Sequence, residues 1–179
     1  PQGEGGDLRM QNPYWIAYRN PRNTDKKRYM ANVSIAFDIL PWLNVSGRAK
    51  IDNTNSIFTQ KLYASSNTTI TEGSTQGHYT EIRNTDEQIY ADVMVNINKT
   101  FADNKFSLVA NVGASVNDTK SKELSYRGPI REVGIPNMFT VFDLDKEKSR
   151  AQKYGWQEQT QSIFASVEMG YKSMLYLTV

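Results

Sequence analysis

The chain has 179 residues, 39% of them hydrophobic, with a formal charge of +2 from 21 Lys and Arg against 19 Asp and Glu. With no cysteine, it has no disulfide, no zinc–thiolate or iron–sulfur site and no cysteine nucleophile, and the balanced charge gives no reason to expect nucleic acid. The mean hydropathy of -0.59 and the lack of any long apolar run exclude a transmembrane helix, but not a transmembrane β-barrel, whose strands show lipid only every second residue.

The chain opens on a polar, Gly-rich stretch from Gly3 to Asp7 and stops at Val179 inside an alternating run, Leu175, Leu177, Val179, so it reads as a fragment. Residues 1–28 read as an extracellular loop segment leading into the first strand. From Tyr29 the pattern has period two: Tyr29, Ala31, Val33, Ile35, Phe37 and Ile39 share one face, while Asn32, Ser34 and Asp38 share the other. Pro41 breaks this strand. The next one puts Leu43, Val45, Ala49 and Ile51 opposite Asn44, Ser46, Arg48 and Lys50, and the short link between the two predicts an antiparallel hairpin.

Residues 52–86 are rich in Ser, Thr and Asn and read as a long loop. A third strand follows, with Ile89, Ala91, Val93, Val95 and Ile97 against Gln88, Tyr90, Asp92, Met94 and Asn96. A compact turn about Lys99 to Asn104 leads to a fourth, with Phe106, Leu108, Val112 and Val116 against Ser107, Asn111 and Ser115. Residues 117–156 form a second long excursion. Within it Asp143 to Tyr154 is charged and free of Gly and Pro, which predicts a short surface helix capped by Asp143 and closed by Gly155. The fifth strand carries Ile163, Ala165, Val167, Met169 and Tyr171 against Ser162, Phe164, Ser166, Glu168 and Gly170. A tight turn near Lys172 and Ser173 starts the sixth.

The links therefore alternate short, long, short, long, short. In an up-and-down sheet this puts every tight turn at one end and every long loop at the other, as in outer-membrane barrels. The predicted strands run about 9–12 residues, nearer to the 9–11 of membrane strands than to the 5–6 typical of soluble ones. Asp38, Arg48, Lys50, Asp92 and Glu168 all fall on the polar face, as lipid requires, since an Arg or Lys facing the bilayer midplane costs about 2–4 kcal/mol. Tyr29, Phe37, Trp42, Phe106 and Tyr171 are placed near strand ends, where interfacial aromatics gather. The fold class expected is all-β, an antiparallel up-and-down segment of a transmembrane barrel. The alternative is a soluble β-sandwich acting as a carbohydrate-binding or adhesin module.

Other motifs carry less. His78, the only histidine, falls in a polar loop and reads as incidental. Asp143, Asp145 and Glu147 lack the central Gly and closing Glu of a calcium loop, so no metal site is expected. Asn67-Thr68-Thr69 matches a glycosylation triplet that also occurs by chance within strands. Glu72, Glu81, Asp86 and Glu87 have no partner framework and read as solvated loop, so there is no catalytic set and no enzyme. Lys26, Lys27 and Arg28 form a basic run before the first strand that suits either lipopolysaccharide phosphates or simple solvation. Tyr14, Trp15, Tyr63, Tyr79, Tyr126, Phe139 and Phe142 lie in the long loops, where rings either stack on substrate or pack against a partner. Asp38, Arg48, Lys50 and Asp92 are candidates to face a lumen, most simply as ladders of polar pairs.

Certain phrases also resemble a family. Asn12-Pro13-Tyr14-Trp15 precedes the first strand, and Ile39-Leu40-Pro41-Trp42-Leu43-Asn44-Val45-Ser46-Gly47-Arg48 spans the first turn. Gly134-Ile135-Pro136-Asn137-Met138-Phe139 lies in the second long loop, and Leu175-Tyr176-Leu177-Thr178-Val179 closes the chain. In this order, from about Asn12 to Val179, they resemble the barrel region of the SusC/RagA family of TonB-dependent outer-membrane transporters. The resemblance implies a barrel of about 22 strands filled by an N-terminal plug. It also implies a SusD-like surface lipoprotein as lid, TonB as energy source through a region absent from this sequence, outer-membrane lipid around the wall, and an oligosaccharide or peptide as cargo. It implies no cofactor and a Gram-negative outer-membrane location.

Overall fold

The computed structural model describes residues 12–103, 105–133, 135–172 and 174–179. The Gly-rich opening stretch, Asn104, Gly134 and Ser173 lie outside the described residues. A short helix, α1 (Pro13–Arg19), is followed by β1 (Arg22–Leu40), β2 (Leu43–Tyr63), β3 (Gly77–Phe101), β4 (Phe106–Pro129), a 3₁₀ turn at Val141–Asp143, β5 (Arg150–Tyr171) and β6 (Leu175–Thr178). The six strands form one sheet in sequence order, β1-β2-β3-β4-β5-β6. This is the expected all-β, up-and-down arrangement, and its sheet is open. One sheet rather than two packed layers leaves no sandwich among the described residues.

The strands are far longer than the alternation predicts. β3 has 25 residues and β4 has 24, whereas about 9–11 suffice to cross a bilayer. Half or more of the segments read as long loops, 52–86 and 117–156, is strand, and β1 begins at Arg22 inside the segment read as loop. Outside the apolar stretch both strand faces are polar, as in Asn53-Thr54-Asn55-Ser56, so hydrophobic alternation no longer marks them. Tyr29 and the run Lys26 to Arg28 accordingly sit within β1, not at its start. Arg28 is engaged: its Nε and Nη2 donate to Asp52 at 2.8 and 2.5 Å.

The helix predicted over Asp143 to Tyr154 does not form. Asp143 accepts from Thr140 Oγ1 at 2.6 Å and Arg131 Nη2 at 3.0 Å, which spends the carboxylate that was to cap a helix. Asp145 receives the N–H groups of Glu147 and Lys148, and the N–H of Ser149 returns to the Asp145 carbonyl, closing one turn only. From Arg150 the backbone enters the sheet, where ladder hydrogen bonds satisfy it in place of a helix.

The chain divides into two compact units. The loop-bearing unit comprises 1–27, 54–86 and 121–156; the turn-bearing unit comprises 28–53, 87–120 and 157–179. In the turn-bearing unit the β1–β2 link is only Pro41 and Trp42, and the β3–β4 turn is made by left-handed Ala102 and Asp103, at φ of 51° and 53°. Here the residues expected to share an apolar face lie open: Val33, Ile35, Phe37, Val93, Ile163 and Leu177 are all more than half exposed. The opposite parity carries pairs across strands. Asn44 bridges Asp38 and Asn96, Arg48 meets Asp92 at 3.0 Å, Gln88 meets Asn117, and Asn111 meets Ser166. Aromatic rings and lysines gather at the tight-turn end: Phe106 packs on Tyr171 at 4.9 Å, and Lys99 lies over Trp42 and Phe101.

The buried residues of the chain concentrate in the loop-bearing unit. Ile130, Thr71, Leu62, Tyr79 and Leu144 are its apolar and small centre. The two connecting loops, 64–76 and 130–149, are laced to each other. Ser74 Oγ donates to the Ile130 carbonyl at 2.7 Å, Ile130 N–H donates to the Gly77 carbonyl at 2.9 Å, and Ala64 N–H donates to Asn137 Oδ1 at 2.8 Å. Gly77 is required where it stands, since it has φ of 115° and its absent Cβ would meet the Leu62 carbonyl.

Candidate functional site

Every residue lining a cavity of about 1070 Å³ belongs to the loop-bearing unit. α1 enters it through Ile16 and Ala17. Alternation then brings Phe58, Gln60 and Leu62 from β2, His78, Thr80 and Ile82 from β3, and Glu123, Ser125 and Arg127 from β4. α1 is set for this by its N-terminus: Asn12 Oδ1 accepts from Tyr14 N–H and Pro13 opens the first turn. Trp15 Nε1 then ties the helix to Ser66 Oγ at 3.1 Å.

His78 is not the exposed loop residue expected from sequence. It is the second residue of β3, is 7% exposed, and lies against the cavity. Its Nε2 is 3.8 Å from Glu72, and its Nδ1 has no hydrogen-bond partner. Burial lowers its pKa below the ordinary 6.5, and Arg127 adds to this; Glu72 opposes but does not reverse it. The unfolded chain therefore binds the His78 proton more readily than the folded one. The stability this contributes is complete above about pH 6.5 and declines as pH falls from there toward the folded-state value. Amide exchange in residues 64–80 is expected to quicken between pH 7.5 and pH 5.5 beyond the intrinsic pH effect. His78→Gln should flatten that extra dependence, and an unchanged profile in the variant would refute the assignment.

The predicted ring residues separate into two groups. Tyr63, Tyr79 and Phe139 pack together, with Phe139 5.0 Å from Tyr63 and 6.2 Å from Tyr79. Arg19 lies over both Trp15 and Tyr63, and Lys61 over Phe139. These four rings fasten α1 and the two loops; none of them lines the cavity. Tyr14 and Phe142 are each 78% exposed, and Tyr126 is half-buried on β4. Phe142 lies at the end of an exposed apolar run with Val133, Ile135, Met138 and Val141, and Arg131 stacks over its ring at 5.4 Å.

The carboxylates read as solvated loop are structured. Tyr79 Oη donates to Glu81 at 2.6 Å, and Arg83 Nε donates to its other oxygen at 2.6 Å. Burial raises the Tyr79 hydroxyl to about 12, helped by Glu81. Burial also pushes Glu81 upward, but the hydrogen bonds from Tyr79 and Arg83 prevail and hold it below its ordinary value. Asp86 accepts from Ser121. Glu132 is held low by the Thr75 backbone N–H, at 2.9 Å, and hydroxyl. The glycosylation triplet is a turn, with Thr69 N–H donating to Asn67 Oδ1. No group of three or more metal-ligating side chains occurs among the described residues. The cavity residues were missed in the sequence because they were assigned to loop, where parity has no meaning; the β-branched and aromatic run Ile57 to Tyr63 was the available signal.

The fold defines a class: a run of long, antiparallel, up-and-down strands, with one apolar and one polar face in the turn-bearing unit, matching a fragment of a β-barrel. Among solved structures the chain resembles the RagAB peptide transporter, at TM-score 0.78 and 15% identity over 94% of this chain. It also resembles the RagAB peptide importer in its open-open state, at 0.74 and 15%, and in its closed-closed state, at 0.74 and 16%. The chain spans 18% of the length of each of these. Those neighbours are transporters, not enzymes. No family model and no curated protein matches the chain.

Proposed function

We propose that this chain is a wall segment of a TonB-dependent outer-membrane importer of the SusC/RagA kind. The observation that carries the reading is the one-sided apolar belt of the turn-bearing unit, open on β1, β3, β5 and β6, with cross-strand polar pairs on the other face and aromatic rings at the tight-turn end. On this reading the belt faces lipid. Asp38, Arg48, Lys50 and Asp92 face the lumen, chiefly as a hydrated wall: Arg48 is joined to Asp92, and Lys50 lies 3.7 Å from Asp52. The tight turns face the periplasm and the laced loops face outward.

A SusD-like lipoprotein lid is supported by the exposed tip of Val133, Ile135, Met138, Val141 and Phe142, five large apolar side chains held out by a loop whose base is buried. TonB acts through a part of the protein outside this sequence. Cargo is an oligosaccharide or an oligopeptide, captured under the lid and admitted when the plug is remodelled. Cells carrying the full-length protein and its lipoprotein are expected to accumulate labelled cargo, and to stop when a protonophore collapses the inner-membrane gradient. Uptake that continues unchanged after collapse describes a passive porin and rejects the proposal.

A further inference from the structure

The charges of the cavity have an uneven pattern. Arg127 and Glu123 share one face of β4 and form no ion pair among the described residues. Four residues of strand separate them, about 13 Å at 3.3 Å per residue. Arg22 and Glu72 also lie on the lining, and Phe58 is its only aromatic carbocycle. The tyrosines and tryptophan that would stack on sugar rings are absent from the lining. Trp15, Tyr63 and Tyr79 are spent on fastening α1 and the loops.

From this we infer that the cavity binds a short peptide by its two free ends, the carboxylate at Arg127 and the ammonium at Glu123. The inference rests on the importer reading and narrows its cargo. An extended chain of about four residues spans the two poles, at roughly 3.3 Å per residue. A planar guanidinium is the side chain best shaped to grip a carboxylate by two parallel hydrogen bonds. Apolar side chains of the peptide find Phe58, Leu62 and Ile82, and Gln60, whose side-chain oxygen accepts from the Arg22 guanidinium at 3.2 Å, keeps its NH2 group for a peptide carbonyl. A neutral oligosaccharide presents neither charge and finds only Phe58 and the His78 imidazole to stack on.

The test uses the full-length transporter with its lipoprotein and four probes: tetra-alanine, its C-terminal amide, its N-acetylated amide, and maltotetraose. Tetra-alanine is expected to bind. Loss of either free end should weaken binding by about tenfold or more, the effect of one charge-assisted hydrogen bond. Arg127→Gln should weaken tetra-alanine by a similar factor and leave the C-terminal amide unchanged. Arg127→Lys, which keeps the charge, should recover part of the loss. Heat-dependent gel mobility shows that each variant is folded. Energy-coupled peptide uptake with no discrimination between free and blocked ends, or binding of maltotetraose in place of peptide, overturns the inference and leaves the importer reading standing. Absence of energy-coupled uptake for every probe removes both.

Discussion

Replacing Val93 with Arg is expected to cost about 2–4 kcal/mol of barrel stability, the price of a cation facing the bilayer midplane. Val93 is 55% exposed near the middle of the belt, with Ile89 four residues behind it on the same face. A guanidinium there has no carboxylate within the belt, because the acidic residues Asp38, Asp92 and Glu168 all fall on the opposite parity. The matching control is Asn96→Lys, four residues from Asp92 on the same face, where Asn96 now donates to Asn44. It should cost no more than the lost hydrogen bond, about 0.5–1.5 kcal/mol. Both are measured in the full-length protein refolded into lipid vesicles, from urea midpoints or the loss of heat-dependent gel mobility. Equal tolerance of the two would mean that the Val93 face meets water, and the membrane assignment would fall.

The second large effect is expected at Ile130. It is 1% exposed, its N–H donates to the Gly77 carbonyl, and its own carbonyl accepts from Ser74. Ile130→Ala leaves these backbone bonds in place and removes only packing, so the loss is a cavity cost of about 2–5 kcal/mol. It is expected locally. Amide protection in loops 64–76 and 130–149 should collapse toward solvent rates, while heat-dependent mobility of the barrel persists. Ile130→Val, with one methylene removed, should cost about 0.5–1.5 kcal/mol and preserve most of the protection. If the Ala variant leaves loop protection unaltered, the two loops are not joined through this residue.

The two results bear on different residues for a reason visible in the sequence. On the proposed reading the belt meets lipid, where each second side chain faces hydrocarbon and an unpaired charge is costly, so one face of the strands is kept apolar. Val33, Ile35 and Phe37 in β1 and Ile89, Val93 and Val95 in β3 are legible on that ground alone, as is the hairpin at Pro41 and Trp42. Beyond the belt the requirement lapses. Asn53 to Ser56 and Asp118 to Lys122 remain in strand with polar residues on both faces, and nothing periodic marks them. The same lapse hid the cavity, since His78, Glu123 and Arg127 were placed in loops and their common face could not be seen.

Asp143 teaches the complementary lesson. Its local sequence favours a helix start, and the carboxylate does accept hydrogen bonds, but from Thr140 and from Arg131 across the loop. A few tenths of a kcal/mol per residue of helix propensity cannot compete with the ladder that the backbone joins along β4 from Arg150 onward.

By itself the sequence determined the all-β class, the strand order implied by alternating short and long links, and the sorting of Asp38, Arg48, Lys50 and Asp92 away from the apolar face. Each follows from a local rule of period or turn length that backbone geometry enforces residue by residue. Only the tertiary structure decided how far the strands continue past that belt, which rings fasten the loops, and that His78 shares a cavity with Arg127. Those depend on contacts between residues some 50 positions apart, such as Trp15 with Ser66 and Ser74 with Ile130, whose |i−j| of 51 and 56 lies beyond any local pattern.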